Sequence, residues 1–318
     1  MPPVDRNRPK RAASSDSRYS LMEFVREFPD DATCLAWLWR TRYAPDGTHT
    51  ICPKCEVVRA FKRYETATQR QSWTCTGCGH HIHPTAGTIF HKSSTSLHLW
   101  FYAMYLMTST RCGISAKQLE REIGVTYKTA WRMFHLIRNE LMGQDDADLG
   151  GEVEIDETYV GGKRRNARRG GRPAEGDKQK TPVLGMVERG GRVVAVTVPN
   201  VRRVTLLPHV IKRVLPSASV FTDELNSYQA LGKAGYDHQK IAHSQGVYVS
   251  GNVHTNTIEG FWSLVKRGIG GTHHAVSAKH LQGYLNEYAW RYNHRDKTSG
   301  EAQFRLLLRR AAFVRPAV

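Results

Sequence analysis

Three carboxylates are spaced so that they can act on one substrate atom. Asp156 lies in Val-Glu-Ile-Asp-Glu-Thr-Tyr, Asp223 in Val-Phe-Thr-Asp-Glu, and Glu259 in Asn-Thr-Ile-Glu-Gly-Phe-Trp-Ser-Leu-Val-Lys-Arg. The runs around the two Asp residues are short, β-branched and apolar, which predicts strands. Glu259 opens a stretch of helical period. Ile258, Phe261, Trp262, Val265 and Ile269 fall on one apolar stripe, while Glu259, Ser263 and Lys266 share the other side. Two strand carboxylates and one helix carboxylate can converge on a pair of hard divalent cations, the arrangement that drives in-line attack on a phosphodiester. A chain with 29 acidic residues also holds many such triples as solvated surface charge, so the rest of the chain must support the reading.

A second cluster is built from sulfur. Cys52-Pro-Lys-Cys55 and Cys75-Thr-Gly-Cys78 are separated by a spacer of 19 residues. Two Cys-x-x-Cys knuckles at this interval can bring four thiolates to a tetrahedron around Zn²⁺. Ala60, Phe61, Tyr64 and Trp73 between them predict a small hairpin, too small to hold its shape without the metal. His80, His81 and His83 crowd the second knuckle, but four Cys already complete the shell. Cys34 and Cys112 are left over and read as small core residues.

The charge points to a polyanion. Lys and Arg number 46 against the 29 acids, a formal net charge of +17, which attracts nucleic acid over long range. The apolar fraction of 40% is enough for a real core. The first residues are polar and basic, without the apolar core of a signal peptide. The longest apolar run, 99–107, is too short to span a bilayer. Paired rather than scattered cysteines fit a reducing cytoplasm.

The elements that must present these groups follow from local pattern. Residues 1–18 lack core-forming side chains and predict a disordered basic arm. Residues 19–92 hold N-terminal helices, one capped by Asp30 or Asp31, and the zinc ribbon. Residues 93–147 read as all-helical. In them, Ser115 can cap one helix, Gly124 can take the positive φ of a turn, and Thr126 can cap a second helix: a helix-turn-helix. Trp131, Phe134 and Ile137 would then face inward, and Tyr127, Lys128 and Arg132 outward toward DNA. Residues 148–300 are mixed α/β. They include the loop from Gly161 to Pro182, in which Lys163, Arg164, Arg165, Arg168, Arg169 and Arg172 are six of eight basic residues. Residues 301–318 predict a C-terminal helix and tail.

The order of zinc ribbon, helix-turn-helix and an α/β segment with Asp, Asp and Glu resembles the bacterial insertion-sequence transposases of the DDE type that begin with a zinc ribbon, in particular the ISXO-like group. The resembling stretches are 52–78, Thr-Ala-Gly-Thr-Ile-Phe at 85–90, Glu-Ile-Asp-Glu-Thr-Tyr-Val-Gly-Gly-Lys at 154–163, Thr-Pro-Val-Leu-Gly-Met-Val at 181–187, Phe-Thr-Asp-Glu at 221–224 and His-Thr-Asn-Thr-Ile-Glu-Gly-Phe-Trp-Ser-Leu-Val-Lys-Arg at 254–267. The resemblance implies a ribonuclease-H-like core whose mixed sheet carries Asp156 and Asp223 on adjacent strands and whose following helix presents Glu259. Asn256 is the alternative third ligand, because some members of the group place Asn there. Lys266 matches the family's basic residue, and Arg267 beside it joins the DNA-contacting set. The implied chemistry uses two Mg²⁺ or Mn²⁺ about 3.5–4 Å apart for strand cleavage and strand transfer. The implied partners are double-stranded DNA, both element ends and target, and further copies of the chain as a homo-oligomer on DNA. The implied place is the bacterial cytoplasm, on the nucleoid. Glu154, Glu157 and Glu224 beside the two Asp residues read as tuning groups or strand-end surface charges. Two other functions fit the same motifs: a zinc-ribbon and helix-turn-helix regulator carrying an inactive catalytic relic, and a nuclease without strand transfer.

Overall fold

In the computed structural model, residues 19–65, 71–110, 112–144, 148–161, 180–241, 254–295 and 300–315 are described. The chain divides into two units. One comprises residues 1–141 with 297–318, and the other residues 142–296. Among the described residues no helix is long and apolar enough to cross a membrane.

The first unit opens with α1 (Leu21–Glu27) and α2 (Asp31–Arg42). Ser20 and Glu23 form a reciprocal capping box on α1. Asp30 caps α2 by accepting from the Thr33 N–H at 2.7 Å. An antiparallel sheet follows in the order β1 (His49–Ile51), β2 (Val58–Glu65), β3 (Gln71–Cys75) and β4 (His81–Ile82). Trp73 of β3 stacks on Trp39 of α2 at 4.8 Å between ring centres, so the little sheet borrows its core from the helix. The next helix, α3 (Leu97–Ser109), is apolar on most sides and is central for that reason, with Trp100, Phe101, Met104 and Met107 buried.

Two short helices complete this stretch, α4 (Ala116–Ile123) and α5 (Tyr127–Leu136), the latter running into a π-helical turn at Ile137–Leu141. Ser115 accepts from Gln118 N–H at 3.1 Å and Thr126 from Thr129 N–H at 3.3 Å. Between them Gly124 takes φ 66°, the left-handed value that favours glycine. Phe134 and Ile137 are buried. Trp131 is only half-buried and stacks on His135, one helical turn on.

The second unit contains β5 (Glu152–Val160), β6 (Thr181–Glu188), β7 (Val193–Thr197), α6 (Arg203–Arg213), β8 (Ser219–Thr222), the short α7 (Ala230–Lys233), β9 (Asp237–Lys240), α8 (Asn256–Gly268) and α9 (Leu281–Asn293). The strands form one mixed sheet in the order β7-β6-β5-β8-β9. Strands β5, β6 and β7 pair antiparallel, while β8 and β9 run parallel to β5. Apolar residues cover both faces. Val153, Ile155, Met186 and Val220 pack with Leu206 and Val210 of α6 on one side. Val183 and Val187 pack with Ile258, Phe261, Trp262 and Val265 of α8 on the other. Burial on both faces is why β6 carries a nearly continuous apolar run at 182–187, whereas β5 alternates Val153 and Ile155 with Glu152, Glu154 and Asp156.

Helix α8 lies very close to the sheet because Gly185 of β6 has no side chain. A Cβ there would collide with the Trp262 ring and meet Ile258 Cδ1 at 2.8 Å. The helix starts at Asn256, three residues before Glu259.

The last helix, α10 (Gly300–Phe313), belongs to the first unit. Its Phe304 is fully buried among Tyr19, Phe24, Phe28 and Tyr105. The reading that set residues 301–318 apart missed this, because an amphipathic stripe does not say which distant element it covers.

Candidate active site and metal centre

Parallel pairing brings the two Asp residues together. The register of β5 on β8 runs Glu154 to Phe221 and Ile155 to Thr222, and one further step sets Asp156 beside Asp223. Successive strand residues point to opposite faces. Asp156 accordingly meets Trp262 of α8, whose Nε1–H donates to Oδ2 at 2.9 Å. Glu157 meets Tyr228 on the other face, whose hydroxyl donates to Oε2 at 2.8 Å. Oxygens of Asp156, Glu157 and Asp223 nonetheless all lie within 4.8 Å of one another. Asp223 is steadied by the Leu225 N–H, which donates to its Oδ1 at 3.0 Å.

The electrostatics of this trio are those of crowded, half-desolvated charge. Burial, and then the Asp223 charge, push the Asp156 carboxyl up to about 6, against the Trp262 donor and with Glu259 adding to the rise. Burial pushes Glu157 up to about 7, offset in part by the Tyr228 hydroxyl, with Asp223 and Asp156 adding to it. Three hard oxygen donors that disfavour one another's charge suit a divalent cation. Glu157 read from sequence as a tuning or surface charge; here it stands in the trio.

Glu259 is exposed in the first turn of α8 and accepts from the Thr255 hydroxyl at 3.1 Å. Among the described residues the trio does not take it in. It is close enough for its charge to act on Asp156, and it lies one turn from Trp262, which touches Asp156 directly. Asn256 is the exposed first residue of the same helix. Lys266 and Arg267 are exposed on its last turn, where Arg267 Nε donates to Ser263 O at 3.2 Å.

Glu154 corrects the sequence reading. It is neither a surface charge nor a strand-end group but has 0% exposure, and it accepts from the first backbone N–H groups of α8. Period-2 alternation places it on the face of Asp156; nothing in sequence says that a helix a hundred residues later ends on it.

In the first unit the four cysteines converge. Cys52 and Cys78 Sγ are 3.6 Å apart and Cys55 and Cys75 Sγ 4.0 Å, and all four lie within 4.8 Å of one another. A regular tetrahedron with Zn–S bonds of about 2.3 Å has edges of about 3.8 Å, so the spacing fits such an ion. The two knuckles close alike. Glu56 N–H donates to Cys52 O at 2.8 Å and Gly79 N–H to Cys75 O at 3.0 Å, with positive φ at Glu56 (59°) and Gly79 (72°). Burial raises the Cys52 thiol, but backbone N–H groups of Cys55 and Lys54 and the neighbouring thiols outweigh it and bring it down to about 7. Cys34 is buried as expected of a core residue, whereas Cys112 is exposed.

On α5, Tyr127, Lys128 and Arg132 are all exposed. Lys163, Arg164, Arg165, Arg168, Arg169 and Arg172 lie outside the described residues.

Residues 148–293 match the family model described as the ISXO2-like transposase domain. An uncharacterized protein in transposable element ISH50 of Halobacterium salinarum is 32% identical over 254 residues, which cover 76% of this chain and 84% of the relative. An uncharacterized transposase-like protein of Haemophilus influenzae is 34% identical over 102 residues, 32% of this chain and 81% of that one. A solved structure described as a pre-cleavage Mos1 transpososome matches at 12% identity and a TM-score of 0.26, covering 66% of this chain and 78% of the other; likeness at that level carries no weight for the fold. The chain is an insertion-sequence transposase by class, and it belongs to the ISXO2-like family.

Proposed function

We propose that this chain binds the ends of its own insertion sequence and catalyses metal-dependent strand cleavage and strand transfer on a ribonuclease-H-like core. The observation that carries the reading is the meeting of Asp156 on β5 with Asp223, the residue directly after the parallel strand β8, in a chain of a transposase family.

Asp156 and Asp223 would hold two Mg²⁺ or Mn²⁺, with Glu259 as third ligand and Asn256 as its alternative. The chemistry such ions would supply there is activation of the attacking oxygen and stabilisation of the leaving one. Trp262 orients the Asp156 carboxylate and keeps it charged. Lys266, on the exposed side of α8, neutralises phosphate charge. The attacking oxygen is water in cleavage and a DNA 3′-hydroxyl in strand transfer. The four cysteines hold a structural Zn²⁺ that shapes the small sheet. Helices α4 and α5 act as a helix-turn-helix, with Tyr127, Lys128 and Arg132 toward double-stranded DNA. Arg267 and the basic segment from Lys163 through Arg172 grip phosphates, and copies of the chain pair the two ends as a homo-oligomer.

The test is a joining reaction. Labelled DNA carrying the element ends is incubated with plasmid and Mg²⁺. Joined product that disappears in Asp156→Asn supports the proposal. Cleavage without joining identifies a nuclease, and specific binding with neither identifies a regulator.

A further inference from the structure

Glu154 precedes Asp156 by two residues on β5 and shares its face. A carboxylate buried this completely is costly unless it is paired and hydrogen-bonded. This one is saturated. Oε2 accepts from the backbone N–H of Thr257 at 2.8 Å and of Ile258 at 3.0 Å. Oε1 accepts from the Thr257 hydroxyl at 2.9 Å and from Arg189 Nε at 2.7 Å, and lies 3.1 Å from His254 Nδ1. Thr257 and Ile258 are in the first turn of α8, whose own N-cap residue, Thr255, makes no side-chain cap bond. The strand carboxylate therefore caps the helix, and its negative charge suits that helix end.

The strand and helix then touch at two polar points. Glu154 holds the first turn of α8, and Asp156 receives the Trp262 indole farther along. Gly185 lets the helix lie close between them. Two points fix both the height of a helix on a sheet and its rotation. Arg189 braces the first point: it bonds Glu152 at 3.0 Å and His254 O at 2.9 Å while lying over the Phe221 ring.

We propose that Glu154 is the positioning residue of the active site. Its carboxylate sets the placement of α8 on β5 and so decides where Glu259, or Asn256 in its place, stands relative to Asp156 and Asp223. Glu154 itself touches neither ion nor DNA. The inference rests on the reading of Asp156 and Asp223 as cation ligands.

The experiment uses the full chain with Glu154→Gln, Glu154→Asp and Asp156→Asn. Three quantities are read: hydrogen exchange of the Thr257 and Ile258 amides, Mn²⁺ affinity by calorimetry without DNA, and Mg²⁺-dependent cleavage at saturating DNA. Glu154→Gln is expected to lose protection at both amides and to weaken Mn²⁺ binding by about tenfold or more, with a matching loss of cleavage and unchanged DNA affinity. Glu154→Asp keeps the charge but draws it back by one methylene, and falls between. If Glu154→Gln does not fold, Thr257→Val removes one donor and leaves the Arg189 pair, and a weaker Mn²⁺ affinity at unchanged melting temperature supports the same conclusion. Lost amide protection with unchanged Mn²⁺ affinity and cleavage would reduce Glu154 to an ordinary cap and overturn the inference, as would unchanged protection. Asp156→Asn separates the two claims. If it leaves Mn²⁺ binding intact, the cation-site reading fails; if it abolishes binding while Glu154→Gln does not, only the role of Glu154 fails.

Discussion

The indole of Trp262 donates to Asp156 Oδ2 at 2.9 Å, tying a helix residue to the strand carboxylate that the site is built around. A donor to a carboxylate favours its charged form, so this bond opposes the burial and the Asp223 charge that raise Asp156. Trp262→Phe keeps a ring against Gly185 and removes the donor. The acid limb of Mg²⁺-dependent cleavage is expected to move to higher pH while DNA affinity stays constant. A pH–rate profile at saturating DNA reads this directly, and an unmoved limb would mean that the indole only packs.

Asp156 has a cost in the metal-free protein. Its carboxyl sits at about 6 when folded and near 3.9, roughly, when unfolded. The folded state therefore holds more protons between those values, and its stability falls as pH rises through them. Glu157, at about 7, extends the fall toward neutrality. Asp156→Asn removes the share that belongs to Asp156 and leaves that of Glu157, so in Mg²⁺-free buffer at alkaline pH the variant should be more stable, by on the order of 1–3 kcal/mol. The difference should vanish in acid. Mg²⁺ should raise the wild-type melting temperature at alkaline pH and leave the variant unmoved, while cleavage is lost altogether. Calorimetric melts across pH, with and without Mg²⁺, check each point.

The third ligand can be assigned by exchange of amide and acid. An amide keeps the shape of a carboxylate but lacks the charge that holds two dications against their own repulsion. Asp223→Asn and Glu259→Gln should each lower cleavage and joining by a factor of roughly thousands, several kcal/mol of transition-state stabilisation. Asn256→Ala should remain active. The opposite result for the last two variants would give the role to Asn256.

Metal analysis of purified protein should find about one zinc per chain. Cys52→Ser should release it and unfold the small sheet, visible as loss of the near-ultraviolet signal of the stacked Trp39 and Trp73. Gly79→Ala is a milder probe of the same knuckle. Nothing lies within 4 Å of an added Cβ, so its cost is the positive φ alone, about 1 kcal/mol, with zinc retained.

DNA affinity should fall by orders of magnitude between about 50 and about 200 mM salt. Lys128→Ala and neutral replacements across the basic segment from Lys163 to Lys180 should weaken binding to all sequences and flatten that slope. Changes at Tyr127 or Arg132 should instead relax the preference for the element's ends. Titrations on cognate and scrambled duplexes at several salt concentrations distinguish the two behaviours.

What the chain discloses before folding is what local pattern can carry. Asp156 and Asp223 sit in β-branched runs and Glu259 in a helical stripe. Asp30, Ser115 and Thr126 precede their helices as caps, and Gly124 stands where a left-handed turn is needed. What it conceals is long-range. Glu154 acts on a helix that follows a hundred residues later. Glu157 reaches Asp223 from the opposite face of its strand. Strand β9 is Asp-His-Gln-Lys, without a β-branched residue, and an edge strand with polar side chains carries no periodic signature. Cys112 shows the converse error, since small apolar character alone did not bury it.

The return of α10 to the first unit has a consequence for synthesis on the ribosome. Helices α1 to α5 and the four cysteines emerge early, yet the aromatic core they share with Phe304 closes only after residues 142–296 have been translated. A chain halted before α10 would carry every cysteine and the whole exposed face of α5 but lack a wall of its core, leaving apolar surface open to proteolysis. A chain ending before residue 300 should therefore be cut by a protease faster than the full chain, which limited proteolysis of the two would show.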